Sequence, residues 1–375
     1  MRSALARLDD VAARTGCVAD RDDDAVLAAA AAAPPGVLGG EPVTVKDWID
    51  VTGFRCSGGF VHHADRRPGD DATVVARLRA AGAVVVAKTA VQVHSERFGT
   101  VRNPHDPARS PGASSSGDGA AVGGGAVRLG IGSDSGGSIR VPAAWCGVVG
   151  MKPSAGLVPT TGHFPRLGER SDGRTVIGPL AATVDLAWLA VRTMAGPDGA
   201  DGGVAPVALG DPDGVDLSSL RIAVGSPGGA EVAAPVSAAL AQAGDVLRGT
   251  GAVVGGPPPD WLAEARRVTE AYWSRARRTG DQVAQDLFDW DRFRRRTLLE
   301  TSEVDVIVTP TVPEMAPLHR EMRTEDYVFC LPASLTGAPA ITVPVGDGAV
   351  QVIASRWSDH VAVAVARVLE GASGR

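Results

Sequence analysis

Ser133-Asp134-Ser135-Gly136-Gly137-Ser138-Ile139-Arg140-Val141-Pro142 is the stretch on which the reading of this 375-residue chain turns. Gly136 and Gly137 lack Cβ atoms, so several backbone N–H groups can converge on one point beside Ser138, a nest suited to an oxyanion. Taken alone, Gly-Gly-Ser reads more readily as a tight turn. Twenty-four residues upstream of Ser138 stands a second serine cluster, Ser114-Ser115-Ser116, and further upstream a lone lysine closes the apolar run Val43-Thr44-Val45-Lys46. An alcohol attacks only when a base takes its proton. None of the histidines (His62, His63, His94, His105, His163, His319, His360) lies in a triad segment, and there is no G-x-S-x-G elbow. A serine activated by lysine is the alternative. Lysine serves as a base only when neutral, and burial among Val43, Val45, Trp48 and Ile49 favours the neutral amine.

Outward from these segments the chain alternates between helical and strand patterns. Residues 1–33 read as helical, with Asp22 to Asp24 suited to a helix N-terminus and Pro34-Pro35-Gly36 as the stop. Residues 43–49 read as a buried strand running into the lysine, 72–81 as a helix with Gly82 as its C-cap, and 84–87 as an apolar strand. Glycine and serine crowd residues 112–150, with helical character over 120–129. Further on, strands are expected at 220–224, 251–254, 304–309 and 340–345, and helices at 233–247, 261–297 and 359–370. This layering predicts an α/β fold. The segment 196–218 is rich in Gly, Pro and Asp, but strands stand on both sides of it, so it reads as a surface connection within one sheet-based domain. The arginines of 261–297 read as a solvated helix face.

Bulk composition narrows the function. Apolar residues at 44% and charged residues at 21% suit a globular protein with a large core, while 4% aromatics and 47 glycines imply packing by small residues. A formal charge of −6 argues against nucleic acid or an anionic membrane as the main partner. Cys17, Cys56, Cys146 and Cys330 have neither C-x-x-C nor zinc-type spacing, and are expected to be buried free thiols in a reducing cytoplasm. Residues 1–16 show no apolar leader core, and no window reaches the apolar length of a membrane span.

Gly112-Ala113-Ser114-Ser115-Ser116-Gly117 followed by residues 132–153, from Gly132-Ser133-Asp134 to Gly150-Met151-Lys152-Pro153, closely resembles the amidase signature family. Residues 42–50 are similar to that family's catalytic-lysine strand, 101–107 to the approach to its Ser-Gly loop, and 304–311 with 335–340 to its C-terminal strands. The likeness is dense over 42–160 and extends across nearly the whole chain. It overturns the tight-turn reading.

The resemblance implies one large α/β domain, residues 1–375, with a mixed, central twisted sheet covered by helices on both faces. Its catalytic core would span about 42–200, and a shortened, variable part about 200–375. It further implies that Ser138 is the nucleophile, Ser114 the bridging serine on a cis Ala113–Ser114 peptide, and Lys46 the base. The N–H groups of Ser135, Gly136, Gly137 and Ser138 would form the oxyanion hole, with no cofactor and no metal. The expected partner is a small-molecule amide, with no nucleic acid or membrane and with a homodimer left open. Ala113 and Ser116 stand where glycine is usual, and Asp118 where serine is common. Asp134 and Arg140 are expected to pair structurally, Asp47 to orient local backbone, His62-His63 with Asp65 to form a polar loop, and Cys146 to be core. Trp145, Phe164, Trp290 and Trp357 are candidate apolar liners. Two rivals stand beside hydrolysis. The same chemistry serves acyl transfer, as in amidotransferase subunits that act with partner proteins, or ester cleavage; the scaffold also serves a non-catalytic binding protein.

Overall fold

The computed structural model of the protein describes residues 1–165 and 173–372. Its thirteen strands are β1 Val18–Asp20, β2 Pro42–Lys46, β3 Val84–Thr89, β4 His94–Ser95, β5 Gly99–Thr100, β6 Leu129–Asp134, β7 Val149–Lys152, β8 Val176–Ala181, β9 Arg221–Val224, β10 Val253–Gly255, β11 Val306–Pro310, β12 Ala340–Val345 and β13 Gly348–Ala354. Eleven of them form one sheet in the order β1-β3-β2-β6-β8-β7-β12-β13-β11-β9-β10, and β4 and β5 pair separately. The sheet is mixed. β2 lies parallel between β3 and β6, β8 runs antiparallel to β6 and β7, and β9 is parallel to both β10 and β11. This single sheet runs through both sides of segment 196–218.

Every residue of β3, β6, β8 and β13 is buried. Strands covered on both faces need near-continuous apolar runs, which Val84-Val85-Val86-Ala87 supplies in plain view. In β8, Gly178 and Pro179 interrupt that signal. A Cβ on Gly178 would lie 2.3 Å from the Met151 carbonyl oxygen, so the glycine allows β7 to approach closely. Helices Thr73–Ala80, Val184–Met194, Asp359–Gly371 and Ala234–Gly249 pack in one row across the sheet. Arg2–Thr15, Ser116–Gly123 and Arg140–Cys146 form a second row. Among the described residues no helix is long and apolar enough to cross a membrane.

Three expectations about elements need correction. Residues 1–33 are two helices, Arg2–Thr15 and Asp23–Ala32, because Gly16 turns left-handed at φ 67° and β1 then pairs with β3. Asp22 caps the second helix by accepting from Ala25 N at 3.1 Å. Helical character over 120–129 ends earlier, at Gly123, and Leu129 opens β6. The 261–297 region breaks between Leu262–Trp273 and Gly280–Glu300, where Thr279 and Gln282 form a capping box. Its arginines largely meet acids, among them Arg267 to Asp289 and Arg296 to Glu264.

Candidate active site

Lys46 is the last residue of β2, a strand flanked by β3 and β6, and its side chain is fully buried. Its Nζ lies 2.8 Å from Ser114 Oγ, 3.1 Å from Ser115 Oγ, 3.2 Å from Ser133 Oγ and 3.4 Å from the Ser133 carbonyl oxygen. The Trp48 ring covers it, with its centroid 4.2 Å away. Burial lowers the Lys46 pKa from 10.5 to about 7, against the pull of the Asp118 and Asp134 carboxylates. Lys46 makes no ion pair with the described residues. A dry amine poised among hydroxyls can exchange a proton near neutral pH.

Ser114 follows a cis Ala113–Ser114 peptide. Gln92 N donates to the Ser114 carbonyl at 3.0 Å, and Ser115 N donates to the Ser138 carbonyl at 3.2 Å, so the two serine loops are tied together. The unusual residues of this loop are accommodated. Ala113 is fully buried, and the Ser116 hydroxyl donates to the Gly112 carbonyl at 2.6 Å. The Asp118 carboxyl accepts from Thr44 Oγ1 at 3.0 Å, and burial raises its pKa to about 7. The Ser138 side chain is partly exposed, and its hydroxyl has no hydrogen-bond partner among the described residues.

The turn carrying Ser138 is built on Asp134. Its carboxylate takes Arg140 Nε and Nη2, each at 3.0 Å, and accepts from Gly137 N at 2.6 Å and Ile139 N at 3.2 Å. Burial alone would raise the Asp134 pKa, but the Arg140 guanidinium overrides it and holds the carboxyl down at about 2. Arg140 also donates to the Cys330 carbonyl at 2.9 Å, Gln351 Oε1 at 3.0 Å and Ser334 Oγ at 2.8 Å. The turn carrying Ser138 is thereby bolted to the C-terminal third. Arg140→Met leaves Asp134 buried without its cation, and is expected to cost about 3–5 kcal/mol of stability, read as a lower midpoint of denaturant unfolding.

This network engages one of the expected donors. The Gly137 N–H donates to Asp134 Oδ1 at 2.6 Å. The N–H groups of Ser135, Gly136 and Ser138 donate to no described residue, so three donors remain beside Ser138. Both glycines are sterically required. Gly137 has φ 131°, and a Cβ there would meet Cys330 Cβ at 2.9 Å; a Cβ on Gly136 would meet Trp273 Cζ2 at 2.9 Å. Trp273 and Tyr327, in edge contact at 6.0 Å, therefore form an apolar wall beside these donors. The sequence reading missed both residues. Trp273 ends a helix inside a region dominated by arginines, and the break that follows it was the available signal.

The proposed liners divide. Trp145 Nε1 donates to the Glu314 carbonyl at 3.0 Å from a buried ring, and Trp290 Nε1 to the Leu335 carbonyl at 2.7 Å. Trp357 packs under Arg356. Phe164 lines a cavity of about 660 Å³, together with Asp50, Arg66, His163 and Asp201. Ser138 is absent from its described wall. Asp47 accepts from Ser57 N, Ser57 Oγ and Gly59 N, and so orders local backbone. The His62 ring lies tilted against Phe60 and the His63 ring meets it edge-on, and Asp65 reaches Arg55 at 3.8 Å. All four cysteines are buried free thiols; burial pushes Cys330 up to about 12.

Comparison with known proteins agrees with this architecture. The Amidase family model matches residues 1–290 and 266–363, and the chain belongs to the amidase signature family. A glutamyl-tRNA(Gln) amidotransferase subunit from Halobacterium salinarum is 32% identical, over 89% of this chain and 96% of that one. The crystal structure of the corresponding subunit from Thermotoga maritima superposes with a TM-score of 0.84 at 28% identity, covering 99% of this chain and 91% of that chain. The peptide amidase PAM, solved with the competitive inhibitor chymostatin, gives a TM-score of 0.81 at 25% identity, over 99% and 93% of the two chains. The protein is an enzyme of the amidase class.

Proposed function

We propose that the protein hydrolyses the carbon–nitrogen bond of a small-molecule amide through an acyl-serine, with Ser138 as nucleophile, Ser114 as proton bridge and Lys46 as base. The observation that carries this reading is the buried Lys46 amine 2.8 Å from Ser114 Oγ, on a loop hydrogen-bonded to Ser138. A serine hydroxyl donates and accepts at once, so Ser114 can pass a proton from Ser138 to Lys46 while receiving none in excess. Ser138 Oγ, unengaged at rest, rotates toward Ser114 as it attacks the carbonyl. Negative charge then forms on the carbonyl oxygen, facing the N–H groups of Ser135, Gly136 and Ser138. Collapse of that intermediate breaks the C–N bond, and Lys46 returns its proton through Ser114 to the departing amine. Water repeats the sequence on the ester, releasing the carboxylic acid and Ser138. The wall of Trp273 and Tyr327 favours an acyl group with an apolar face. Four buried free thiols suit a cytoplasmic setting.

The test is turnover of a panel of primary and secondary amides in ¹⁸O-labelled water. One labelled oxygen in the released acid is expected. Unlabelled acid, or an acyl product formed only with an added amine, counts against hydrolysis. The similarity to amidotransferase subunits favours a second reading, in which amide cleavage supplies ammonia within a complex. Glutaminase activity joined to co-purifying partner subunits would select it.

A further inference from the structure

His163 takes no part in the chemistry above, yet it lies one hydroxyl away from the base. It is buried, held by a bridge to Ile49 just past the end of β2, and its ring meets Trp48 edge-on at 5.9 Å. Its Nδ1 is 3.1 Å from the Pro165 carbonyl oxygen, and its Nε2 is 3.1 Å from Ser133 Oγ. Ser133 Oγ in turn is 3.2 Å from Lys46 Nζ.

The directions of these bonds follow from what each atom can do. A carbonyl oxygen only accepts, so His163 Nδ1 carries a proton, and when that is the only proton on the ring Nε2 is an acceptor. The single proton of the Ser133 hydroxyl is then given to Nε2, and Ser133 Oγ faces Lys46 as an acceptor. Ser115 arrives at the same polarity by another path. Its Oγ donates to the Ser133 carbonyl and accepts from Ser133 N, both at 3.4 Å, so it too can only accept from Lys46. Neutral lysine has two N–H bonds and one lone pair. With Ser133 Oγ, Ser133 O and Ser115 Oγ all accepting, the N–H bonds are drawn to that side and the lone pair is left for the Ser114 hydroxyl, the nearest of the four contacts.

We infer that His163 is a positioning residue: through Ser133 it sets the direction of the hydrogen bonds around Lys46, so that the amine's lone pair faces Ser114. Without an acceptor at Nε2, the Ser133 hydroxyl is free to turn its proton toward Lys46 and compete with Ser114 for that lone pair. This inference rests on the proposed Lys46–Ser114–Ser138 relay.

The test uses an alkyl fluorophosphonate, which phosphonylates the nucleophile with loss of fluoride and needs no known substrate. The maximal labelling rate and the half-saturating probe concentration are measured separately for the native protein, His163→Leu and His163→Gln. Leucine removes the acceptor; glutamine restores an amide oxygen near the Nε2 position. His163→Leu is expected to slow maximal labelling roughly 10- to 100-fold with the half-saturating concentration little changed, and His163→Gln to regain most of the rate. ¹⁵N-edited NMR of the native protein is expected to find His163 as the neutral Nδ1–H tautomer, a readout that stands even where the leucine variant does not fold. Unchanged labelling of folded His163→Leu, or the Nε2–H tautomer, overturns the inference. If Ser138→Ala still labels at the native rate, the relay itself is wrong; if Ser138→Ala is inert and His163→Leu is native-like, only the role of His163 falls.

Discussion

Replacing Ser138 with alanine is expected to abolish turnover while the thermal unfolding midpoint stays near that of the native protein. Loss of an activated serine in a comparable hydrolase costs about 10⁶ in kcat, and the residual rate comes from the oxyanion donors and substrate binding. The Ser138 side chain is partly exposed and makes no hydrogen bond among the described residues, so its removal breaks no network. The turn itself is held by Asp134 and Arg140 through backbone N–H groups and the guanidinium. Function and folding are therefore separable here, which is not true of Arg140. A variant that turned over amide at more than about a thousandth of the native rate would place the nucleophile elsewhere.

The second large effect belongs to Lys46. Lys46→Met removes the base without adding charge to a fully buried site, and is expected to lower kcat by about 10²–10⁴. In the native protein the same residue is expected to set the pH dependence. Burial lowers its pKa from 10.5 to about 7. Only the neutral amine accepts the proton of Ser114. Activity is therefore expected to be low in acid, to rise as pH passes through neutrality, and to level off in mild alkali. A lysine left at its ordinary value would move that rise far into alkali. Asp118 and Asp134 face Lys46 from the helix Ser116–Gly123 and from β6, and each pulls its pKa upward. A kcat/KM profile recorded with one substrate from mildly acidic to alkaline pH checks this. A flat profile with chemistry rate-limiting would remove Lys46 from the role of base.

The parts of the site that were legible from sequence share a physical character. Lys46, Ser114 and Ser138 each sit in a segment whose own neighbours carry the signal, whether an apolar strand, a serine cluster or a glycine pair. The cluster of backbone N–H groups around Ser138 was legible as a group, but the separate engagement of Gly137 was not. Its N–H is claimed by Asp134, whose direction depends on Arg140, and Arg140 is fixed by Cys330, Ser334 and Gln351 from the far end of the chain. Contacts of that range leave no local pattern. His163 is a similar case, because a lone histidine reveals a role only when folding sets it against Ser133. At the level of the fold, valine runs such as that of β3 were plain, whereas β8 was hidden by Gly178 and Pro179, of which the glycine is required by the close approach of Met151. The helix read over residues 1–33 failed for the opposite reason: Gly16 and β1 are short interruptions in an otherwise apolar-periodic stretch.

The central claim, that Ser138 is the residue that becomes acylated, is tested most directly by peptide mapping after reaction with a fluorophosphonate. One phosphonyl adduct is predicted, on the peptide containing Ser138, absent from Ser138→Ala and formed far more slowly in Lys46→Met. An adduct on Ser114 or Ser135 instead, or no adduct on folded native protein, would contradict the account.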